Sequence, residues 1–362
     1  MNTKVLAIAV VAIVGVAAVG SYFLFFNDEE EYDIVLAVGT KNCYEPFWIA
    51  DKYGFFDEED VKVKMVYVDG GGTATTTLLA GGADMTLVGA DPAIRLFNET
   101  DDGMAIATIE TARAGASSDF AVRDDANIDI ADASTLIKPD GSVKKCGLDI
   151  TTGYYSGYIT YLYSAWQDGQ ITEAQYNKLR LVDNGSNGGG IVNVPFANQV
   201  ASLEGNAIQM VCSGNVVTVA QGLTGVSVAS APSSTVVSCC VVIVSGEALA
   251  EKRDAVVKIL KAFDKACEFI ENPATKDEAA EYCAKFYGAD GWTTEAQKTF
   301  LNSQYWDICH MIGLEDYLNF KAELLGYEGF DCTDRITMEY LDEIHSEGEL
   351  YKYNPTTKLL EA

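Results

Sequence analysis

The sequence predicts an α/β protein of two similar lobes, preceded by one transmembrane or signal segment. Three observations predict it. The chain has 362 residues, and setting aside an uncharged stretch at residues 5–26 leaves enough for two domains of about 100–200 residues each. From Asp33 onward strand and helix patterns alternate, the order that builds a largely parallel sheet. A weak repeat at an offset of 124 aligns Leu79 with Leu203, Gly81 with Gly205, Ala83 with Ala207 and Leu87 with Val211. It falls in matching places of two βαβ patterns.

The first segment sets the compartment. Residues 1–4 carry one lysine and are expected as a short cytoplasmic end. Val5–Phe26 is 22 uncharged, mostly apolar residues, which as a helix would rise about 33 Å and span a bilayer core. Lys4 before it and Asp28–Glu31 after it direct the rest of the chain outward. An uncleaved membrane anchor is the expectation; the rival is a signal peptide with Gly15–Ser21 as its cleavage region. Either reading puts the remaining chain outside the cytoplasm.

Asp33–Val38 reads as an opening strand, and Pro46 suits the first turn of a helix running to Tyr53. Val61, Val63 and Val68 mark a second strand. Asp69–Thr73 is a glycine-rich turn into a helix of Thr, Leu and Ala, and Met85–Val88 is a third strand. Gly89 stops it, and Asp91-Pro92 opens the next helix. The grammar then returns: strand Cys146–Ile150, aromatic-rich helix Tyr154–Gln167, strand Leu179–Val182, glycine turn Gly185–Gly190 and helix Pro195–Glu204. Strand Val236–Val244 is expected to be followed by helices only, over Ala248–Ile270, Lys276–Tyr287, Phe300–Leu314, Tyr317–Leu325 and Ile336–Ile344.

Composition removes several function classes. A net charge of −28 repels phosphate backbones, so no nucleic-acid partner is expected. With 48% hydrophobic and 22% charged residues the chain is not a disordered acidic one. Two histidines, His310 and His345, leave little for histidine catalysis or a histidine-rich metal site. Nine cysteines contain no CxxC pair and read as small buried apolar residues, with the odd count leaving at least one thiol unpaired in a monomer. Asp125-x-Asn127-x-Asp129 resembles the start of a calcium loop but lacks its glycine and closing glutamate. There is no G-x-S-x-G, phosphate-binding loop, G-x-G-x-x-G or H-E-x-x-H. The expectation is a binding protein, with no catalytic residue, metal or cofactor.

Loops that follow strands and open helices carry the binding chemistry: Asn42–Trp48, Gly70–Thr76 and Gly89–Asp91 in the first half, Thr151–Ser156, Ser186–Gly190 and Ser213–Asn215 in the second. Helix amino termini there offer free N–H groups and partial positive charge, which suit carboxylate, sulfonate, nitrate or phosphate. Open α/β sheets place ligands at the carboxyl ends of their strands. Tyr44, Phe47, Trp48, Tyr154, Tyr155 and Tyr158 are candidate apolar walls, each with ordinary packing as the alternative. Arg95, Arg113 and Arg123 are candidate anion partners; if none faces the cleft, a neutral or cationic ligand is favoured instead.

Pro46-Phe47-Trp48-Ile49-Ala50-Asp51-Lys52-Tyr53-Gly54-Phe55-Phe56, a Val-rich strand, the glycine turn and Leu78-Leu79-Ala80-Gly81-Gly82-Ala83-Asp84-Met85 together resemble the nitrate/sulfonate/taurine-type substrate-binding proteins of ABC importers. That family also holds binders of thiamine pyrimidine precursors. Val194–Asn198 with Gly205–Ala207, and Val241–Ser245 with the following helix, resemble its second lobe and return strand. The resemblance implies a type II periplasmic-binding-protein fold, with residues 33–122 plus 235–345 as one lobe, 123–234 as the other, and crossovers near Phe120–Val122 and Ala229–Val236. By position it implies ligand contacts at Asn42, Tyr44, Gly72, Thr73, Ala90, Asp91, Thr152, Tyr154 and Asn215. It implies capture of a small organic anion and delivery to permease and ATPase subunits. Two other classes stay open: an enzyme like the pyrimidine-synthesising members of the superfamily, and a ligand-sensing ectodomain.

Overall fold

A computed structural model describes residues 32–40, 43–112, 120–213, 220, 222–229, 240–286, 292–344, 349–354 and 359–361. The elements below belong to the unit Asp33–Ala362. In chain order they begin with β1 (Ile34–Gly39), α1 (Glu45–Lys52), β2 (Val63–Val68), α2 (Gly71–Leu79), β3 (Met85–Gly89), α3 (Ala90–Glu99), β4 (Met104–Ala112), β5 (Phe120–Arg123) and β6 (Cys146–Leu148). Next come α4 (Gly153–Gln167), α5 (Glu173–Leu179), β7 (Ile191–Asn193), α6 (Phe196–Glu204), β8 (Met210–Cys212), β9 (Val226–Ala229) and β10 (Cys240–Val244). The last are α7 (Gly246–Glu251), α8 (Arg253–Glu271), α9 (Lys276–Cys283), α10 (Thr294–Ser303), β11 (Gln304–Ile312), α11 (Leu314–Leu325), β12 (Glu349–Asn354) and β13 (Leu359–Glu361).

Two mixed sheets organise these elements, in the orders β13-β12-β11-β4-β10-β3-β1-β2 and β7-β6-β8-β5-β9. Five strands of the first sheet, β2-β1-β3-β10-β4, have the same logic as the whole second sheet. In each, two strands pair in parallel with a third between them, and an antiparallel strand lies beside that set. The sequence repeat marks this correspondence: α2 leads into β3 as α6 leads into β8. The left-handed residue after each helix is Gly81 (φ +70°) in one case and Asn206 (φ +59°) in the other, one position off the aligned glycines. The sheets are joined by residues 113–119 and 230–239, which lie outside the described residues. Phe120–Val122, near which one crossover is expected, forms the start of β5.

Apolar alternation puts core on both faces of the first sheet. Ile34, Leu36 and Val38 face one cluster with Trp48, Leu260 and Phe263; Ala37 faces the other with Ile94, Leu96 and Leu318. The second sheet buries Phe120, Cys146 and Leu148 against Tyr158, Tyr161 and Leu162 of α4. Lys252 (φ −123°) breaks the expected helix Ala248–Ile270 into α7 and α8, and its Nζ bonds Asp84 Oδ2 at 2.8 Å.

Two expectations are corrected. Leu179–Val182 is not a strand: α5 runs to Leu179 behind a capping box of Thr172 and Gln175, and the strand, β7, follows the glycine turn. The backbone of that turn lies directly on α5. A Cβ at Gly190 would sit 2.9 Å from Leu179 Cα, so Gly190→Ala is expected to cost about 1–3 kcal/mol, read as a lower urea midpoint at unchanged slope. The tail is not wholly helical either. β11 replaces most of the helix expected at Phe300–Leu314 and pairs antiparallel with β4. Its residues alternate, Trp306 and Ile308 buried and Tyr305 exposed, the period of a strand rather than a helix. Ile336–Ile344 contains only the short turn Leu341–Glu343.

Of the eight described cysteines seven are buried and Cys43 is half-exposed. Burial raises the thiols of Cys146, Cys267 and Cys283 well above their ordinary range. Among the described residues no helix is long and apolar enough to cross a membrane; the expected anchor, residues 5–26, lies outside them.

Candidate solute-binding site

Because β1, β2 and β3 are parallel, the loops after them emerge at one edge of the first sheet. After β1, Cys43 takes a left-handed backbone (φ +84°), and the Tyr44 ring folds back over Gly39, 2.8 Å from where a Cβ would stand. After β2, Gly70 (φ +126°) turns the chain into α2. Gly71 approaches Pro92 so closely that a Cβ would lie 3.0 Å from its Cγ, which sets the starts of α2 and α3 side by side. Gly72 and Thr73 stay exposed there. The hydroxyls of Thr75 and Thr76 donate to the Gly72 carbonyl at 3.0 and 2.9 Å. After β3, Ala90 and Asp91 open α3, both buried.

The second sheet presents the corresponding edge. After β6, the Asp149 carboxylate accepts from the Thr151 N–H at 2.9 Å and its hydroxyl at 2.6 Å. The Thr152 hydroxyl donates to the Asp149 carbonyl at 2.8 Å. That turn launches α4, with Tyr154 half-buried in its first turn. After β8, Ser213 is buried, and among the described residues its Oγ has no hydrogen-bond partner.

The two edges face each other, and two contacts establish it. Asp91 Oδ2, from α3, accepts the Ser156 N–H of α4 at 3.1 Å. Arg95 Nη2, one turn along α3, donates to the Ile150 carbonyl at 2.7 Å. Asp91 is fully buried, and its other oxygen has no hydrogen-bond partner. Burial raises its pKa to about 6, only partly offset by Ser156, Lys321 and Arg95. Lys321 of α11 reaches into the same junction, and burial lowers its pKa to about 8.

Of the residues expected from sequence, Tyr44, Gly72, Thr73, Ala90, Asp91, Thr152 and Tyr154 stand on these facing edges. Asn42 and Asn215 lie outside the described residues. Trp48 does not join them: it is fully buried and stacks on Phe286 with centroids 4.4 Å apart and planes at 8°. Among the arginines, Arg95 is committed to Ile150, and Arg123 is clamped by Asp125 at 2.7 and 3.0 Å and by the Leu203 carbonyl at 2.8 Å. Arg113 lies outside the described residues. Ser156 and Ser213 lie at the ends of two of the expected loops, though neither was named as a ligand contact; Lys321 was not anticipated. Among the described residues no cluster of His, Cys, Asp and Glu is placed to hold a metal ion.

Residues 43–133 match the family described as NMT1/THI5 like. A binding protein of Bacillus subtilis (strain 168), YtlA, is 36% identical over 87 residues, 22% of this chain. The match spans about a quarter of that relative's length, 26%. The periplasmic aliphatic sulphonate binding protein SsuA from Escherichia coli superposes with a TM-score of 0.64 at 11% identity, covering 91% of this chain and 92% of its own. The periplasmic nitrate-binding protein NrtA from Synechocystis PCC 6803 gives 0.63 at 15% identity, covering 86% and 87%.

The fold is that of the periplasmic binding proteins. The alkanesulfonate-binding SsuA from Xanthomonas axonopodis pv. citri, bound to MOPS, shares it at a TM-score of 0.62 and 10% identity, covering 82% of this chain and 93% of its own.

Proposed function

We propose that this chain is the extracytoplasmic solute-binding component of an ABC importer. It captures a small solute between two type II binding-protein lobes and hands it to a permease worked by ATPase subunits. Residues 5–26 hold it at the membrane. The observation that carries the reading is the opposition of the α3 and α4 amino termini, joined by Asp91 to Ser156 at 3.1 Å. Tyr44, Gly72, Thr73, Ala90, Asp91, Thr152 and Tyr154 line the site in this reading, completed by Asn42 and Asn215. The ligand class carried over from the similar proteins is a sulfonate, nitrate, carboxylate or related organic anion.

A second reading of the ligand has its own support. The Ser156 N–H at the α4 amino terminus already binds a carboxylate of the chain itself, and Arg95 and Arg123 are committed to backbone and side-chain acceptors. A net charge of −28 steers anions away at distances beyond salt screening, about 8–10 Å. A neutral, zwitterionic or cationic solute escapes both penalties. A thermal-shift panel on the purified full chain separates the two readings, using sulfonates, taurine, nitrate, bicarbonate, carboxylates, pyrimidine precursors and betaines. A ligand at 100 times its Kd is expected to stabilise by about 2.7 kcal/mol. Stabilisation by sulfonate or nitrate supports the first; stabilisation by betaine or pyrimidine alone supports the second. A panel without any shift counts against solute capture.

A further inference from the structure

The tail beyond β10 does more than cover the first lobe. Its helix α11 packs Leu314, Leu318 and Ala322 into the same cluster as Ile94, Leu96 and Phe97 of α3. Further on, Arg335 fastens the segment to the loop after α3, donating to the carbonyls of Thr100 at 2.6 Å and Gly103 at 3.1 Å. The segment is thus anchored on the lobe that carries Asp91.

From that anchorage α11 grips the other lobe. Lys321, fully buried, donates from Nζ to Thr160 Oγ1 and, at 3.5 Å, to the Ser156 carbonyl, both on the first two turns of α4. Phe320 meets the Tyr163 ring edge-on at 5.4 Å, and Arg180 Nη2, just past α5, donates to the Leu324 carbonyl at 2.8 Å. The charged and titratable groups at the junction come from every element packed there: Asp91 and Arg95 from α3, Tyr155 from α4, Arg180 just past α5, Cys212 from β8, Lys321 and Tyr317 from α11, and Tyr327 just past it.

We propose that Lys321 is a positioning residue: it holds the first two turns of α4 against Asp91, so that the carboxyl-terminal segment sets the spacing between the two ligand-facing edges. This rests on the binding-protein reading of those edges. Charge gives Lys321 this role. An ionised carboxylate as buried as Asp91 disfavours a closed junction unless a cation stands near it. Lys321 supplies the cation from a third element, while its N–H groups hold α4. Its importance therefore depends on whether Asp91 is ionised, which a purely space-filling side chain at this position would not show.

Hydrogen exchange on the full chain tests this, expressed as protection factors so that intrinsic rates cancel. In Lys321→Met the amides of residues 153–160 are expected to lose protection at least tenfold at pH 7, where Asp91 is ionised and Lys321 of the wild type still carries its charge. They should recover to within threefold of wild type at pH 5, where it is neutral. Lys321→Arg, which keeps the charge and donors, should stay within threefold at both. If Lys321→Met does not fold at pH 7, the double variant Asp91→Asn/Lys321→Met should fold there with pH-independent protection at 153–160. Equal loss at both pH values, no loss at either, or a double variant that is also unfolded overturns the proposal. A positive result alongside a flat solute panel would reject only the importer reading and leave the junction intact.

Discussion

Trp48→Ala is expected to lower stability by about 3–5 kcal/mol, the range for truncating a large buried aromatic, while leaving solute affinity unchanged. The indole is fully buried in the cluster that includes Phe47, Leu260 and Phe263. Its stack on Phe286 is one of a chain of ring contacts, since Phe286 also meets Tyr67 at 6.2 Å and Tyr282 at 5.5 Å. Truncation removes the transfer energy of the indole and leaves a cavity between α1 and the segment following α9. Trp48→Phe retains one ring of the stack and should cost about half as much. Urea unfolding measures the loss, and a titration with whichever solute stabilises the wild type measures the rest. A tenfold weaker affinity in a folded Trp48→Phe would return Trp48 to the ligand wall.

The residues around Trp48 show why its role could not be read in advance. Pro46-Phe47-Trp48 sits in a loop-to-helix transition at a strand end, where a ligand wall and a core anchor have the same composition. The side of α1 that faces the sheet depends on where α8 packs, some 200 residues later in the chain. Elements punctuated locally were legible: Gly70 before α2, Gly89 before α3 and Pro46 in α1 mark helix starts whatever the rest of the chain does. Elements defined by long-range pairing were not. β7 has three residues, too few for a period to register. β11 takes its strand geometry from pairing with β4, about 200 residues earlier in the chain.

The site divided along the same line. The loops after β1, β2, β3 and β6 were identifiable because each opens a helix after a strand. The junction that ties them together depends on Lys321, which sequence reasoning missed. A signal for it existed: Leu314, Tyr317, Leu318, Lys321 and Leu324 share one helical stripe, and a lysine there breaks an otherwise apolar face. On a surface helix such a lysine bends its ammonium out to water. Only the presence of α4 on that side, with Thr160 and the Ser156 carbonyl as acceptors, makes burial the better solution.

Asp91 gives the second large effect, and its sign is opposite to that of most carboxylates. Its pKa is raised from 3.8 to about 6, chiefly by burial, so the folded chain holds this proton more tightly than the unfolded chain does. Stability is therefore gained as pH falls from about 7 to about 4, and lost again as it rises through 6. A shift of that size corresponds to about 3 kcal/mol. The carboxylates Asp125, Asp140 and Asp331, exposed, and Asp183, half-buried, have lowered pKa values through local hydrogen bonds. Their contribution disappears below pH 4, outside this window. Relief of repulsion among the many acidic groups also stabilises the chain on acidification, and Asp91→Asn, which keeps an acceptor for the Ser156 N–H, subtracts it. Urea unfolding at several pH values between 7.5 and 4 should show the wild type gaining about 2 kcal/mol more than Asp91→Asn. Parallel curves for the two proteins would mean that Asp91 is solvated in solution, and that the α3 and α4 amino termini stand apart until a solute draws them together.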